Sequence, residues 1–424
     1  MAPIKNIEYF RVAPRWLFVK VTDDDANYGW GEATLEGHTE AVEGTLNEFA
    51  SRLIGFDADD IEHIWQYIWR LGFYRGGPVF MSALAGIDIA LWDLKGRRAK
   101  LPIHQLLGGK VRNKVAVYAW IGGNRPGDVE GAARARKAQG FKAVKMNATE
   151  DIGWLDSPRV LESAVERLRV VRALGMDAAM DFHGRVHKPM AKQLAKALEP
   201  HHPLFIEEPL LSEHPEGIKQ LSDLTTCPVA LGERLYSRWD VKRYLQGMYA
   251  CMYVRPVGVP SRRRGHPSTR SLARRGEQTR LLAWLDASVD ILQPDVAHCG
   301  GISEVRKIAA MAEAYDVAIA PHCPLGPIAL AACLQIGLAV PNHVIQEMSQ
   351  GIHYNTESGD GSVDIDSYVA DASVFDVRDG YVDALTGPGL GIEVDEDKVR
   401  AAAREAKPWS SGEFWGEDGG IREW

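Results

Sequence analysis

The 424-residue chain is predicted to be an α/β protein built on a parallel barrel, with an α+β domain in front of it. Three observations predict this. First, acid, base or metal-ligand residue types recur at nearly even spacing: Asp181, Glu207, Glu233, Asp295, His322 and Glu347, at steps of about 26, 26, 62, 27 and 25 residues. A βα unit of an eight-stranded barrel takes roughly 25–30 residues, and such enzymes carry their chemistry at the C-terminal ends of the strands. Second, each of these residues follows a short apolar run, and amphipathic helical segments separate the runs, as in a parallel sheet. Third, residues 4–33 alternate apolar and polar side chains around turn-forming Asp and Asn, as in a small antiparallel sheet.

The elements follow in order. After the sheet, helical spacing governs residues 40–72, and the Ala-rich stretch 80–97 predicts a buried helix. VAVYAWIG (115–122) opens the barrel. Next comes a helix ending at Gly140, a normal C-cap residue. FKAVKMN (141–147), MDAAMDFHG, FIEEP, CPVALGE, ILQPD, VAIAPH and HVIQE supply the remaining strands. The expected organisation is a cap over 1–114, a barrel over 115–374 and a tail over 375–424 that returns to the cap.

The single long step marks an insertion at 251–287. Its core, 255–280, holds eight Arg and one Glu and lacks an apolar period. It is expected to be unstructured. It reads either as a basic patch for an anionic partner or as translated non-coding sequence.

Bulk properties narrow the function. The formal net charge is −8, so the chain as a whole is not a basic nucleic-acid binder. No run of ~18 apolar residues predicts a membrane span. Five Cys without a CxxC pair suit free thiols in the cytoplasm.

Three carboxylates on neighbouring strand ends, Asp181, Glu207 and Glu233, form an oxygen set that suits Mg²⁺. A lone acid at a strand end is usually a cap or ion-pair partner; three in register are not. Of the adjacent Glu207 and Glu208, alternation lets only one face the barrel mouth, and Glu207 is taken, with Glu208 facing outward. Asp181 and His183 lie two apart, hence on one strand face. Asp295 beside His322 makes a general base. Glu347 can hydrogen-bond an oxygen that gains charge. His298 and His343 lie near the mouth but out of register.

With these residues placed, the chain resembles the enolase superfamily, and within its mandelate racemase subgroup the sugar-acid dehydratases, galactonate dehydratases above all. GWGE, MDFHGRVHKPMAKQL, FIEEPLL, GERLYSR, ILQPDVAHCGGI, APHCPLGP and PGLGIEVDE carry the resemblance, which spans 4–247 and 288–424. It implies a modified (β/α)₇β TIM-type barrel with an α+β capping domain from the N-terminal region and C-terminal tail. It implies Mg²⁺ held by Asp181, Glu207 and Glu233. It further implies removal of an aldonate's C2 proton by His322 with Asp295, and protonation of the departing 3-hydroxyl by His183. Glu347 would stabilise the enolate, and Lys145 and Asn147 would bind substrate oxygens. The implied substrate is D-galactonate, and the implied state is a homo-oligomer without nucleic-acid or membrane partners. Another aldonate such as gluconate, a racemase using Lys145 and His322, and a disrupted, non-catalytic barrel are the competing readings. The Arg15–Trp16 loop, Tyr28–Glu32 and Tyr74–Arg75 are expected to contact distal hydroxyls by analogy.

Overall fold

A computed structural model describes residues 2–122, 126–150, 152–246, 287–352, 363–416 and 418–423. The arginine-rich core of the expected insertion lies outside the described residues. Strands β1 (Ile4–Val12), β2 (Trp16–Asp23) and β3 (Tyr28–Glu32) form the antiparallel sheet the alternation predicts, in the order β1-β2-β3. Helices α1 (Thr39–Leu53), α2 (Ile61–Leu71), α3 (Pro78–Ala99) and α4 (Ile103–Leu106) follow. α3 is apolar on all sides and buried along most of its length, as an all-round hydrophobic helix must be. It packs tightly on the sheet because Gly29 and Gly31 have no side chains. A Cβ on Gly31 would sit 1.9 Å from the carbonyl oxygen of Gly86, and one on Gly29 2.1 Å from that of Ala90.

Among the described residues, eight parallel strands then alternate with seven helices. They are β4 (Lys114–Trp120), α5 (Pro126–Ala138), β5 (Ala143–Asn147), α6 (Arg159–Ala173), β6 (Asp177–Asp181), α7 (Lys188–Leu198), β7 (Ile206–Glu207) and α8 (Pro215–Ser222). β8 (Val229–Leu231), α9 (Arg238–Leu245), β9 (Ile291–Leu292), α10 (Gly301–Glu313), β10 (Ala318–Ile319), α11 (Pro327–Ala339) and β11 (Gln346–Met348) complete the set. The sheet runs β10-β9-β8-β7-β6-β5-β4-β11. It closes through a parallel bridge between Ile319 and His343, where Val344 N–H donates to the Ile319 carbonyl at 2.9 Å. This is the (β/α)₇β barrel. His343, out of register with the mouth, belongs to that seam.

The tail does more than return to the first sheet. β12 (Tyr381–Asp383) pairs antiparallel with β4, inside the barrel's own sheet, while α12 (Glu396–Ala403) packs on β1. Two buried carboxylates join the N-terminal elements to barrel helices. Glu32 accepts from the backbone N–H groups of Gly326 and Ala329 at the start of α11, and Asp88 accepts from Ser303 N–H in α10. Among the described residues no helix is long and apolar enough to cross a membrane, and four cysteines are buried free thiols.

Candidate active site

The strand ends deliver the residues that the spacing singles out. Asp181 and Glu207 are the last residues of β6 and β7 and are paired in register. Glu233, Asp295 and His322 sit two or three residues beyond β8, β9 and β10. Glu347 differs: it lies inside β11, facing inward and fully buried. Asp181, Glu233, Glu347, His183, His322 and Lys145 line one cavity of about 310 Å³ at the C-terminal mouth. Glu207, expected to face the mouth, is not among the residues lining that cavity and is bound to Lys145. Asn147 is not among the residues lining the cavity, and its backbone carbonyl accepts from Arg167.

Two histidine–aspartate pairs face this cavity. His322 Nδ1 lies 2.8 Å from Asp295 Oδ2, and its Nε2 lies 3.0 Å from Glu233 Oε2. Burial alone would lower the pKa of this imidazole. The carboxylates of Glu233 and Glu347, and the hydrogen bonds to Asp295 and Glu233, outweigh that and raise it well above the usual histidine value. His183 Nδ1 lies 3.0 Å from Asp181 Oδ2, and its backbone N–H donates to Asp181 Oδ1 at 2.6 Å. The pair does meet, but not by sharing a strand face. β6 ends at Asp181, and His183 stands in a left-handed turn at φ +58°, an unusual conformation for a residue with a Cβ. Arg234 holds that turn by donating to the His183 carbonyl at 2.8 Å.

The carboxylates also sort themselves. Lys145 Nζ bridges Glu207 Oε1 at 2.5 Å and Glu347 Oε1 at 2.8 Å. Glu207 takes a second bond from Gln293 Nε2 at 2.5 Å. Burial raises the Glu207 pKa well above the carboxylate range; Lys145 opposes that shift, and Asp181 and Glu347 add to it. Glu208, in a left-handed conformation at φ +41°, turns to the loop after β8 and accepts from Gly232 N–H at 3.1 Å. Burial pushes it up to about 8 against the opposing charge of Arg234.

So much buried negative charge, supplied by oxygen donors on adjacent strand ends, fits a hard divalent cation. The three carboxylates do not converge to a ligating distance, however. Like charges repel, and each takes the nearest proton-bearing partner: His183 for Asp181, Lys145 and Gln293 for Glu207, His322 for Glu233. Among the described residues the group whose ligating atoms do converge is Asp295, His298 and His322. Its internal bond from His322 to Asp295 is that of a proton-holding pair, so the three-carboxylate set remains the better cation site on donor chemistry.

Sequence reasoning left His298 near the mouth without a role and missed Glu36 and Glu423 in the cavity. His298 lines it, with Nε2 3.3 Å from Glu36 Oε2 and Nδ1 3.7 Å from Asp295 Oδ2. Glu36 in turn lies 3.4 Å from Arg15 Nη1. Burial raises the Glu36 carboxyl, but Arg15 and His298 overcome this and hold it at about 2. Of the N-terminal residues expected to contact distal hydroxyls, Arg15 lines the cavity. Tyr28 instead donates to Glu393, and Tyr74 is 88% exposed; neither lines the cavity. Glu423 reaches the cavity from the tail. No local pattern announces Glu36 or Glu423, whereas the histidine of PDVAH was a visible signal.

Comparison with known proteins agrees with the fold. The enolase C-terminal domain-like family matches residues 128–256 and 271–398, leaving part of the arginine-rich stretch unmatched. The N-terminal domain of mandelate racemase and muconate lactonizing enzyme matches residues 8–108. Two curated relatives, D-galactonate dehydratases of Variovorax paradoxus strain S110 and Ralstonia pickettii strain 12J, are each 43% identical to this chain, with 99% of the chain and 100% of the relative covered. An enolase from Agrobacterium radiobacter, solved with sodium and L-malate, is 28% identical and superimposes with a TM-score of 0.79 over 99% of both chains.

Proposed function

The chain belongs to the enolase superfamily, in its mandelate racemase branch, and is an enzyme of the hydro-lyase class; from that premise we propose that it dehydrates D-galactonate to 2-dehydro-3-deoxy-D-galactonate. The observation that carries this reading is the pair of histidine–aspartate couples on one cavity. Elimination of water needs a base at one carbon and an acid at the next, because hydroxide is a poor leaving group without a proton.

His322, oriented by Asp295 through Nδ1, takes the C2 proton at Nε2. That nitrogen faces Glu233 here, so the base form needs Glu233 engaged elsewhere, as in cation binding. His183 gives its proton to the departing 3-hydroxyl. Asp181, Glu207 and Glu233 would hold Mg²⁺, which when bound offsets the charge that develops on the substrate carboxylate. Lys145 and Glu347 form a buried pair on the cavity wall, where donors aimed at developing charge act in a medium of low polarity. Burial disfavours the charged lysine, yet Glu207 and Glu347 hold its pKa well above the ordinary value. The second histidine, His183, is what argues for elimination over racemisation with Lys145 and His322 as opposed bases.

The substrate assignment draws on the curated relatives, and L-malate, a 2-hydroxy acid, in the Agrobacterium protein supports a 2-hydroxycarboxylate site. The test is an assay of the purified protein with Mg²⁺ over a panel of aldonates, detecting 2-keto-3-deoxy acids. Turnover of galactonate that EDTA abolishes is the expected result. Turnover of gluconate alone would keep the reaction and overturn the substrate. No turnover by folded, Mg²⁺-loaded protein would overturn both.

A further inference from the structure

His322 belongs to no regular element. It stands in the segment 320–326 between β10 and α11, so its position depends on what holds that backbone. The polar contacts run along nearly every residue. Gln346 Nε2 donates to the Pro321 carbonyl at 3.0 Å, and Cys323 N–H to Glu347 Oε2 at 2.9 Å. Arg15 Nη2 donates to the Pro324 carbonyl at 3.0 Å, and Ser349 Oγ to the Leu325 carbonyl at 2.7 Å. Gly326 N–H donates to Glu32 Oε1 at 2.8 Å, and Ala329 N–H to Glu32 Oε2 at 2.9 Å. One side of this clamp is β11 and the residues beside it. The other is the N-terminal sheet, through Arg15 and Glu32.

Glu32 is itself fixed. It is the last residue of β3 and fully buried, and Thr34 Oγ1 donates to it at 2.9 Å while accepting from Leu17 N–H at 3.0 Å. The fit is tight: a Cβ on Gly326 would lie 2.8 Å from both carboxylate oxygens of Glu32. A two-oxygen fork on two N–H groups of the first turn of α11 sets the direction of that turn, and with it the segment that carries His322.

We propose that Glu32 is a positioning residue for His322, through which the docking of the N-terminal sheet places the catalytic base. The role rests on the dehydration proposed above. Asp88 supplies a matched control. It too is a buried carboxylate from the N-terminal elements that accepts from a barrel-helix N–H, but on α10 and not on the 320–326 segment or α11.

The experiment compares Glu32→Gln, Gly326→Ala and Asp88→Ala in the full chain, on whichever aldonate the wild type dehydrates. Glu32→Gln replaces one accepting oxygen with an amide that faces an N–H donor. Misplacement of a reacting group by about 1 Å costs on the order of 10²-fold. Glu32→Gln is therefore expected to lower kcat about 10- to 100-fold, with KM within about 3-fold, and to enlarge the isotope effect of deuterium at C2. Gly326→Ala, which crowds the same carboxylate, follows in the same direction and serves if Glu32→Gln does not fold. Asp88→Ala loses thermal stability and keeps kcat within about 3-fold. An unchanged kcat and isotope effect in Glu32→Gln, or an equal kcat loss in Asp88→Ala, overturns the positioning role while leaving the dehydration intact. A wild type that dehydrates no aldonate overturns the reaction itself, and this role with it.

Discussion

Asp295 Oδ2 sits 2.8 Å from His322 Nδ1, with the carboxylate buried and the imidazole facing the cavity. That contact fixes which ring nitrogen is presented to substrate. Asp295→Asn keeps the shape but offers an amide in place of the carboxylate. It is expected to cut kcat by ~10²- to 10⁴-fold, the range of acid–base catalysis, with the melting temperature little changed. Steady-state kinetics with a parallel thermal melt check this; a kcat within a few-fold of wild type would remove His322 from its role as base.

His183 and His322 are assigned to different protons, so their loss should separate the two halves of the reaction. In His183→Asn the base remains. Exchange of the C2 hydrogen with D₂O, followed by proton NMR, is expected to continue while formation of the keto acid drops ~10²-fold or more. His322→Asn should lose both. Loss of exchange in His183→Asn would mean that the two histidines do not divide the labour.

The sequence displayed this site unevenly. A βα unit has a nearly constant length, so even spacing located Asp181, Glu207, Glu233, Asp295 and His322 on strand ends or just past them. The alternation stops where the strands end: His183 and Glu208 lie two and one residues beyond β6 and β7, at positive φ, so His183 meets Asp181 through a turn and not along a strand face. The cavity wall from Arg15, Glu36 and His298 depends on how distant segments dock, and tertiary docking leaves no period in either segment. Glu32 was visible in GWGE, but its partners Gly326 and Ala329 lie about 300 residues away, beyond the reach of any local pattern.

Cation binding by Asp181, Glu207 and Glu233 predicts a stability change that needs no turnover. A ligand that binds only the folded state at 100 times its Kd stabilises it by about 2.7 kcal/mol. Mg²⁺ is therefore expected to raise the melting temperature by several degrees, reversibly with EDTA. Asp181→Asn and Glu233→Gln should abolish the shift. If it persists in both variants but vanishes in His298→Asn, the cation sits with Asp295, His298 and His322 instead.

The two buried carboxylates that join the N-terminal elements to the barrel predict the pH dependence of folding. Burial raises Asp88 to about 7 despite the opposing bonds from Ser303, and raises Glu32 to about 7 despite the N–H groups of Ala329 and Gly326. Each acid ordinarily ionises near pH 4, so between pH 4 and 7 the folded chain holds protons that the unfolded chain has lost. Their stabilising contribution is thus complete below about pH 4 and is lost as pH rises through 7, on the order of 3 kcal/mol for each group. His343 works in the opposite sense: burial and Arg112 lower it to about 4, so its contribution is present above the ordinary histidine value and fades as pH falls toward 4. Because these windows overlap, urea denaturation of wild type and Asp88→Asn across pH 5–8 isolates the Asp88 share. Asp88→Asn, which cannot ionise, is expected to flatten the decline throughout pH 5–7, the range over which the folded wild type holds the extra proton. A decline as steep as that of wild type would show that Asp88 ionises at an ordinary carboxylate pH and that its burial is not the source of the slope.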